Sequence, residues 1–162
     1  MTTPTIPTQG CTLYLLDDVT VPLSPAVVRV AAVKGVTSIG GSASDIDISN
    51  LDSTRKEFAK GLQDGGSPSF DLIFDPNTAA HVLLHTLAAT GIDSTKSWFF
   101  AFSDGTSAPT FDSTGLLAPT DRSGIVFDAY VKQFQLDAAI DSVLMGKVQL
   151  KATGADTLNV TA

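Results

Sequence analysis

The most constraining feature of this sequence is that apolar residues recur at every second position. Because successive side chains of a strand point to opposite faces, this pattern predicts strands with one buried face. Residues 12–16, 27–36 and 45–48 are weaker strand candidates. The alternation is clearest in four segments, at Phe70, Leu72 and Phe74, at Trp98, Phe100 and Phe102, at Ile125, Phe127, Ala129 and Val131, and at Leu144, Val148, Leu150 and Ala152. The chain is therefore predicted to be mainly β.

Glycine- and proline-containing turns separate the predicted strands. Asp104-Gly105 lies between two apolar stretches and is typical of a hairpin turn, although the connection is allowed to be longer than two residues. Further breaks are expected at 40–41, 65–66 and 119–121.

One segment has helical instead of alternating spacing, and it predicts a helix over residues 76–90. Asp75 is expected to cap the helix, Pro76 suits its first position, and Gly91 is expected to end it. Because there is no second helix of similar quality, the apolar stripe must pack on the sheet. The stripe is formed by Ala80, Leu83, Leu84, Leu87 and Ala88.

Residues 50–68 form a polar, charged stretch with few large apolar residues. Loops longer than about 12–15 residues within a compact domain are usually functional or disordered. We expect a long mobile loop that orders against a partner. The alternative is a short surface helix over residues 54–62.

Composition and charge narrow the function classes. The chain has 162 residues, of which 43% are apolar and 17% charged, so one domain with a real core is expected over residues 11–162. Residues 1–10 are rich in proline and threonine and predict an extended arm. The net charge of −7 argues against nucleic-acid binding and against docking on an anionic membrane.

The candidate chemical groups predict no enzyme, cofactor or metal site. His81 and His85 are four residues apart, but with no third histidine we expect solvated or edge positions. Cys11, the single cysteine, predicts a small, buried or partly buried thiol. Residues 35–42 lack the lysine of a phosphate-binding loop and are expected to connect two strands. Asp45 and Asp47 predict a solvated acidic face.

The order of these features resembles the tail tube (major tail) proteins of long-tailed bacteriophages. It runs from the arm through VVRVAAVKGVTSIGGSASDIDISNLDS, the stretch TRKEFAKGLQDGGSPSFDLIFDP, the helix NTAAHVLLHTLAATG and WFFAFSDGT to VLMGKVQLKATG. The resemblance implies a β-sandwich or barrel-like fold with one flanking helix, shared with the tube protein of type VI secretion systems. It leans towards non-contractile tails.

The same resemblance implies a structural virion protein, assembled in the host cytoplasm into stacked hexameric rings that form the tail tube. The implied partners are further copies of the chain, a tape-measure protein, and tail terminator and baseplate or initiator proteins. The genome would pass through the lumen during ejection without sequence-specific binding.

Two sets of residues are candidates for roles in such a tube. The arm and the long loop are the candidate inter-subunit segments, through Thr5, Ile6, Arg55, Phe58, Leu62 and Asp64. Because a basic lumen would hold DNA, the candidate lumen-facing residues are acidic and lie on strand faces, namely Asp45, Asp47 and Asp128. Polar strand faces also carry Lys132, Lys147 and Lys151, so the sign of the lumen charge stays open.

The main alternative is a β-sandwich binding module for a carbohydrate or protein ligand. Such a module needs exposed aromatic side chains, whereas Trp98 alternates with phenylalanines in a pattern that indicates core packing. A small β-barrel enzyme is a third and weaker alternative, because no acid–base constellation is present.

Overall fold

Seven antiparallel strands form the main sheet in the computed structural model, which describes residues 5–18, 25–90, 95–112, 115 and 117–161. The strands are β1 (Thr12–Asp17), β2 (Ala26–Val30), β3 (Val33–Thr37), β4 (Ser42–Asp47), β5 (Phe58–Asp64), β6 (Ser69–Ile73), β7 (Lys96–Ala101), β8 (Thr110–Phe111), β9 (Leu117–Ala118), β10 (Gly124–Asp137) and β11 (Met145–Asn159), and the helix α1 spans Ala79–Ala89. The order of strands in the main sheet is β2-β1-β7-β10-β11-β6-β3, and β4–β5 and β8–β9 form two further strand pairs.

The main sheet curls towards closure because its two edge strands are consecutive in the chain. Strands β2 and β3 lie at opposite ends of the sheet order, yet only Ala31 and Ala32 connect them. Three Cα steps reach at most about 11 Å, so the two edges come close together. Ala32 makes the corner with a positive φ of 58°. This geometry confirms a mainly β, barrel-like fold with one flanking helix.

The inward face of the curled sheet holds the larger core. The alternating residues predicted to be buried supply it, with Trp98, Leu72 and Ala129 almost fully buried. Helix α1 contributes Leu83, Leu84 and Leu87 to the same cluster. Of the predicted set, Phe102 is partly buried outside this cluster, and Leu144, which precedes β11, stays exposed.

A smaller core covers the other face of β1, β7 and β10. Leu117 of β9 packs there, so the short β8–β9 pair acts as a cover. Strand β7 is thus buried on both faces, with Trp98 on one and Phe99 on the other. The cluster consists of Tyr14, Leu16, Phe99, Ala101, Leu117 and Val126.

The predicted helix exists, but it begins at Ala79 instead of Pro76. The Asp75 carboxylate accepts a hydrogen bond from the Asn77 N–H at 2.9 Å, so it caps a turn that precedes the helix. The N-cap residue is Thr78, which makes no side-chain capping bond. The helix ends at Ala89, and Thr90 donates its N–H to the Thr86 carbonyl. Gly91, the predicted stop, lies outside the described residues.

Residues 50–68 form neither one long loop nor a helix over 54–62, while the ordering of this segment against a partner stays a prediction. Residues 58–64 are strand β5, which pairs antiparallel with β4 through partners such as Asp45↔Lys60 and Asp47↔Phe58. A register shift between Ala43 and Asp45 places an extra residue in β5 and breaks its alternation. The polar composition thus reflects a two-stranded hairpin exposed on both faces.

Three smaller predictions also change. Residues 27–36 are two strands divided at Ala31-Ala32. Residues 35–42 include the end of β3 and the start of β4, so only 38–41 form the connection. Asp104-Gly105 does not form a tight hairpin, because β7 pairs with β1 and β10. The Asp104 carboxylate instead accepts the Ser123 N–H at 3.0 Å.

Candidate assembly surfaces

The main sheet leaves two strand edges open within the described residues. Strand β2 pairs with β1 alone, and β3 pairs with β6 alone. The two edges do not pair with each other, and a cleft of about 700 Å³ lies along this seam, lined by Thr12, Arg29, Lys34 and Phe100 among others. The Thr12 hydroxyl is buried there and has no hydrogen-bond partner among the residues that the structure describes. Unpaired edges offer backbone N–H and C=O groups to another strand.

The β4–β5 hairpin exposes apolar side chains on both of its faces. Ile46 and Phe58 belong to opposite faces of the pair and are 52% and 56% exposed. Leu62 follows the register shift and is 90% exposed. Arg55 is exposed in the connection between the two strands. An isolated two-stranded hairpin is marginally stable in water, so this surface suits burial against another molecule.

The base of the hairpin is attached to β11. Ala152 donates its N–H to the Gly66 carbonyl at 3.1 Å, and Leu150 donates to the Pro68 carbonyl at 2.8 Å. The Asp64 carboxylate accepts the Gly66 N–H and lies 2.5 Å from the Lys151 ammonium. These contacts, led by the Lys151 hydrogen bond, hold the pKa of Asp64 below its ordinary value. Asp64 therefore has a role within the chain at the hairpin base.

The N-terminal arm is fastened at its root. The Ser103 hydroxyl donates to the Pro7 carbonyl at 2.6 Å. Arg122, which is only 2% exposed, donates to the Gly10 carbonyl at 3.2 Å and to the Phe102 carbonyl at 2.9 Å. Ile6 remains 52% exposed, and Thr5 is exposed beside it. The described part of the arm is therefore held to the body at Pro7 and Gly10, with the Ile6 side chain uncovered.

The three aspartates proposed for the lumen do not share one surface. Asp45 lies opposite Lys60 in the hairpin, and the Asp47 carboxylate accepts the Ser49 N–H at 2.9 Å. Hydrogen bonding from Ser49 lowers the pKa of Asp47. Asp128 lies on β10 opposite Ser97 of β7, and its partial burial raises its pKa.

A polar face that the sequence did not single out covers β3, β6, β11 and β10, on the side opposite the larger core. Strand register arranges its side chains in rows across the sheet. One row runs Thr37, Ser69, Gln149 and Gln133, and the next runs Gly35, Asp71, Lys147 and Gln135. We call the surface formed by these two rows, together with Lys151, the polar panel. The available signal was the run of glutamines and lysines at the non-core positions of β10 and β11.

The lysines of the polar panel are paired with carboxylates. Lys147 Nζ lies 2.7 Å from Asp137 Oδ2, and Lys151 Nζ lies 2.5 Å from Asp64 Oδ1. The pKa of Lys147 is raised, chiefly by its hydrogen bond to Asp137, with Asp71 adding to the shift. Each of these two lysines therefore has an aspartate partner within the chain.

The histidines and the cysteine are used within the fold. His81 is buried, against the expectation of a solvated or edge position, with its Nδ1 accepting the Asp75 N–H and its Nε2 2.9 Å from the Ala31 carbonyl. His85 is exposed, as expected, with its ring edge-on to Phe134. Cys11 is partly buried, also as expected. Across the described ranges, no cluster of three or more histidine, cysteine or acidic side chains is placed to hold a metal ion.

Two aromatic side chains that a sugar-binding platform would need at the surface, Trp98 and Tyr14, lie in the core. Trp98 is fully buried and donates its indole N–H to the Ala129 carbonyl at 3.1 Å. Tyr14 is buried against Phe99. The core position expected for Trp98 is thereby confirmed. No helix in the described part of the chain is long and apolar enough to span a bilayer.

Solved structures of tail and injection-system tubes have a similar fold. The SPP1 tail tube matches 97% of this chain and 81% of its own with a TM-score of 0.64 at 8% identity. The tube–sheath complex of the PVC extracellular contractile injection system matches 97% and 93% with a TM-score of 0.67 at 10% identity. These two likenesses show the shared fold.

The sequence comparisons show the family. Structural protein 3 of Pseudomonas phage PAJU2 is 28% identical over 155 residues, which cover 93% of this chain and 91% of that protein. The family model described as phage tail tube, lambda-like, matches residues 4–162. With nearly every residue inside that match, the chain belongs to the lambda-like family of phage tail tube proteins, which are structural components of the virion tail.

Proposed function

We propose that this tail tube protein forms hexameric rings that stack coaxially into the conduit for genome ejection. The observation that carries the proposal is the exposed apolar hairpin on a sheet whose two edges are both open. A subunit with one surface for lateral contact and another for axial contact forms closed rings that can stack. Family membership supports the tube, and these surfaces support the way it is built.

Ring closure uses the open strand edges. An edge strand of one subunit meets a different surface of the next, and this heterologous contact closes after a fixed number of copies. Closure removes exposed strand edges, which otherwise favour aggregation. The seam between β2 and β3 is the natural place for this contact, because both edges and an unfilled cleft meet there.

Stacking uses the hairpin and the arm. Phe58 and Leu62 supply apolar area, and Arg55 lies in the segment that connects β4 to β5. Asp64 positions the base of the hairpin. Thr5 and Ile6 extend the contact from the fastened root of the arm. Burying a side chain the size of leucine contributes about 1.5–3 kcal/mol, so a few such contacts repeated around a ring hold adjacent rings together.

The remaining partners follow from a tube of finite length. A tape-measure protein occupies the nascent lumen, and terminator and baseplate or initiator proteins bind the two ends. The fold is shared with the tube of a contractile injection system as well as with the SPP1 tail tube, so the fold alone does not distinguish contractile from non-contractile tails. We propose a non-contractile tail, on the resemblance of the sequence.

Negative-stain microscopy of concentrated full-length protein tests the proposal. We expect stacked rings with sixfold symmetry when viewed end-on. A Leu62→Asp variant should keep its fold by circular dichroism but lose tubes, because a charge would be buried in the axial contact. Gln63→Asp, next to it in β5, is the matched control and should still form tubes.

Two results would contradict the proposal. Protein that stays monomeric or dimeric at every concentration would remove tube formation. Leu62→Asp tubes as abundant as those of the native chain would remove the axial role of the hairpin while leaving the tube intact.

A further inference from the structure

The polar panel is an exposed strand surface, and its two complete rows hold no large apolar side chain. Its two complete rows carry serine, threonine, glutamine, one lysine and one aspartate. Large apolar and aromatic side chains on this side lie at its borders. Ile73 and Met145 are opposite one another at one end of β6 and β11, and Tyr130 lies opposite Lys151 on β10. Interface cores are depleted in such charged and polar residues, so the panel is poorly suited to bind a neighbouring subunit.

The remaining mass of the subunit lies on the other side of the panel. The larger core and helix α1 pack against the opposite face of the same strands. If open edges join neighbouring subunits around a ring, the sheets form a cylinder. The side of each subunit that holds the larger core and helix α1 then lies on the outside of the cylinder, where the circumference is larger. The panel then faces inwards.

We infer that the polar panel lines the lumen, and that it avoids holding DNA because its lysines are neutralised by aspartates of the same chain. The inference rests on the proposed ring. It differs from a lumen lined by Asp45, Asp47 and Asp128, because it relies on charge pairing instead of acidic excess. Asp128, opposite Thr153 in the sheet, lies just beyond the panel on β10.

The pairing distances support this reading of the surface. Lys147 faces the Asp137 carboxylate directly, and Asp71 lies opposite it on β6. Lys151 is paired with Asp64, and its side chain is only 31% exposed. A lysine held in this way has less tendency to neutralise a passing phosphate, which is the event that makes DNA binding strong and salt-dependent.

The position of the panel is tested by thiol labelling in a Cys11→Ser background. Gln135→Cys places a thiol on the exposed part of β10 within the panel. In the free subunit it should react with a small maleimide and with a maleimide coupled to a globular protein too wide for the channel. In tubes we expect reaction with the small reagent alone.

Two labelling results in tubes overturn the inference. Reaction with the wide reagent at the rate of the free subunit puts the panel on the outer wall. Protection from both reagents puts it in a subunit contact. A failure to form tubes at all is a failure of the proposed function and is recognised beforehand by microscopy.

The charge-pairing part is tested with tubes of Asp64→Asn/Asp137→Asn, in which the oxygen that accepts the Gly66 N–H is kept. Binding of a short fluorescent single-stranded DNA is measured by co-sedimentation at 50 and 300 mM NaCl. Two freed lysines per subunit should give binding at 50 mM that weakens about tenfold or more at 300 mM. Native tubes should retain several-fold less DNA at 50 mM.

Asp45→Asn/Asp47→Asn is the matched control, since it removes the same charge from the hairpin. The inference predicts that this control behaves as the native chain does. Three results would overturn the inference. They are equal DNA retention by both double variants, retention by the control alone, and retention by neither. If Asp64→Asn prevents assembly, Asp137→Asn is compared with Asp45→Asn by the same criteria.

Discussion

His81 joins two parts of the fold at the scale of a single side chain. Its Nδ1 accepts the Asp75 N–H at 3.0 Å ahead of the helix, and its Nε2 donates to the Ala31 carbonyl at the corner between the two edge strands. The ring also stacks on Phe74, with centroids 5.8 Å apart. One buried imidazole thus holds the helix against the corner that brings the sheet edges together.

His81→Ala should lower the free energy of unfolding by about 2–4 kcal/mol, because it leaves the Asp75 N–H and the Ala31 carbonyl, both partly buried, without their imidazole partner and opens a cavity. Urea unfolding of dilute protein measures the effect. His85→Ala, at an exposed position on the same helix, is the control and should cost about 0.5 kcal/mol or less. Equal effects of the two substitutions would show that His81 is not a special contact.

Asp128→Asn should stabilise the protein at neutral pH. Burial raises the pKa of Asp128, so ionising this carboxyl costs folding free energy above its ordinary pKa of about 4. The Asp128 carboxyl binds its proton more tightly in the folded state than in the unfolded state. The folding free energy gained from the protonated carboxyl is therefore lost as pH rises through the raised pKa. The melting temperature of Asp128→Asn should exceed that of the native chain at pH 7, and the difference should fade as pH falls below 4. An advantage that grows on acidification would contradict this.

Gly124 shows what the sequence could not reveal at this scale. A Cβ at this position would come within 2.4 Å of the Phe100 carbonyl oxygen and of the Phe99 ring, whereas a Cβ at Gly35 would meet nothing within 4 Å. Gly124→Ala should therefore cost about 3 kcal/mol or more, and Gly35→Ala about 1 kcal/mol or less, in urea unfolding. Equal costs would mean that β10 shifts to make room. Both residues are glycines beside apolar stretches, and only long-range pairing distinguishes them.

At the scale of elements, prediction from sequence succeeded where one side of an element is buried. The period of two identified β6, β7, β10 and β11, and the helical spacing identified α1, because a core imposes those periods. It failed for β5, since a hairpin exposed on both faces has no core to impose alternation and the register shift at Leu62 disrupts what remains. The polar panel was not predicted, because the pairing of Lys147 and Lys151 with aspartates depends on strand register and on the hairpin position, which alternation alone does not give.

The hairpin should be the least protected element in the free subunit. Its links to the body are concentrated at its base on β11. We expect the amides of residues 43–47 and 58–63 to exchange quickly in the free subunit and at least tenfold more slowly in tubes, with those of β10 slow in both forms. Hydrogen exchange followed by mass spectrometry measures this. Hairpin amides that are equally slow in both forms would show that assembly does not order the hairpin.

At the scale of the whole molecule, the net charge of −7 opposes association of identical subunits, while the contacts proposed to join them are apolar. Salt screens the repulsion over a Debye length of about 10 Å at 0.1 M and leaves apolar burial largely unaffected. Tube formation, followed by light scattering at fixed protein concentration, should therefore increase between 20 and 300 mM NaCl. Leu62→Asp should gain nothing from salt, because screening does not restore the lost apolar contact. Tubes that dissolve as salt rises would show that ion pairs between subunits hold the rings together.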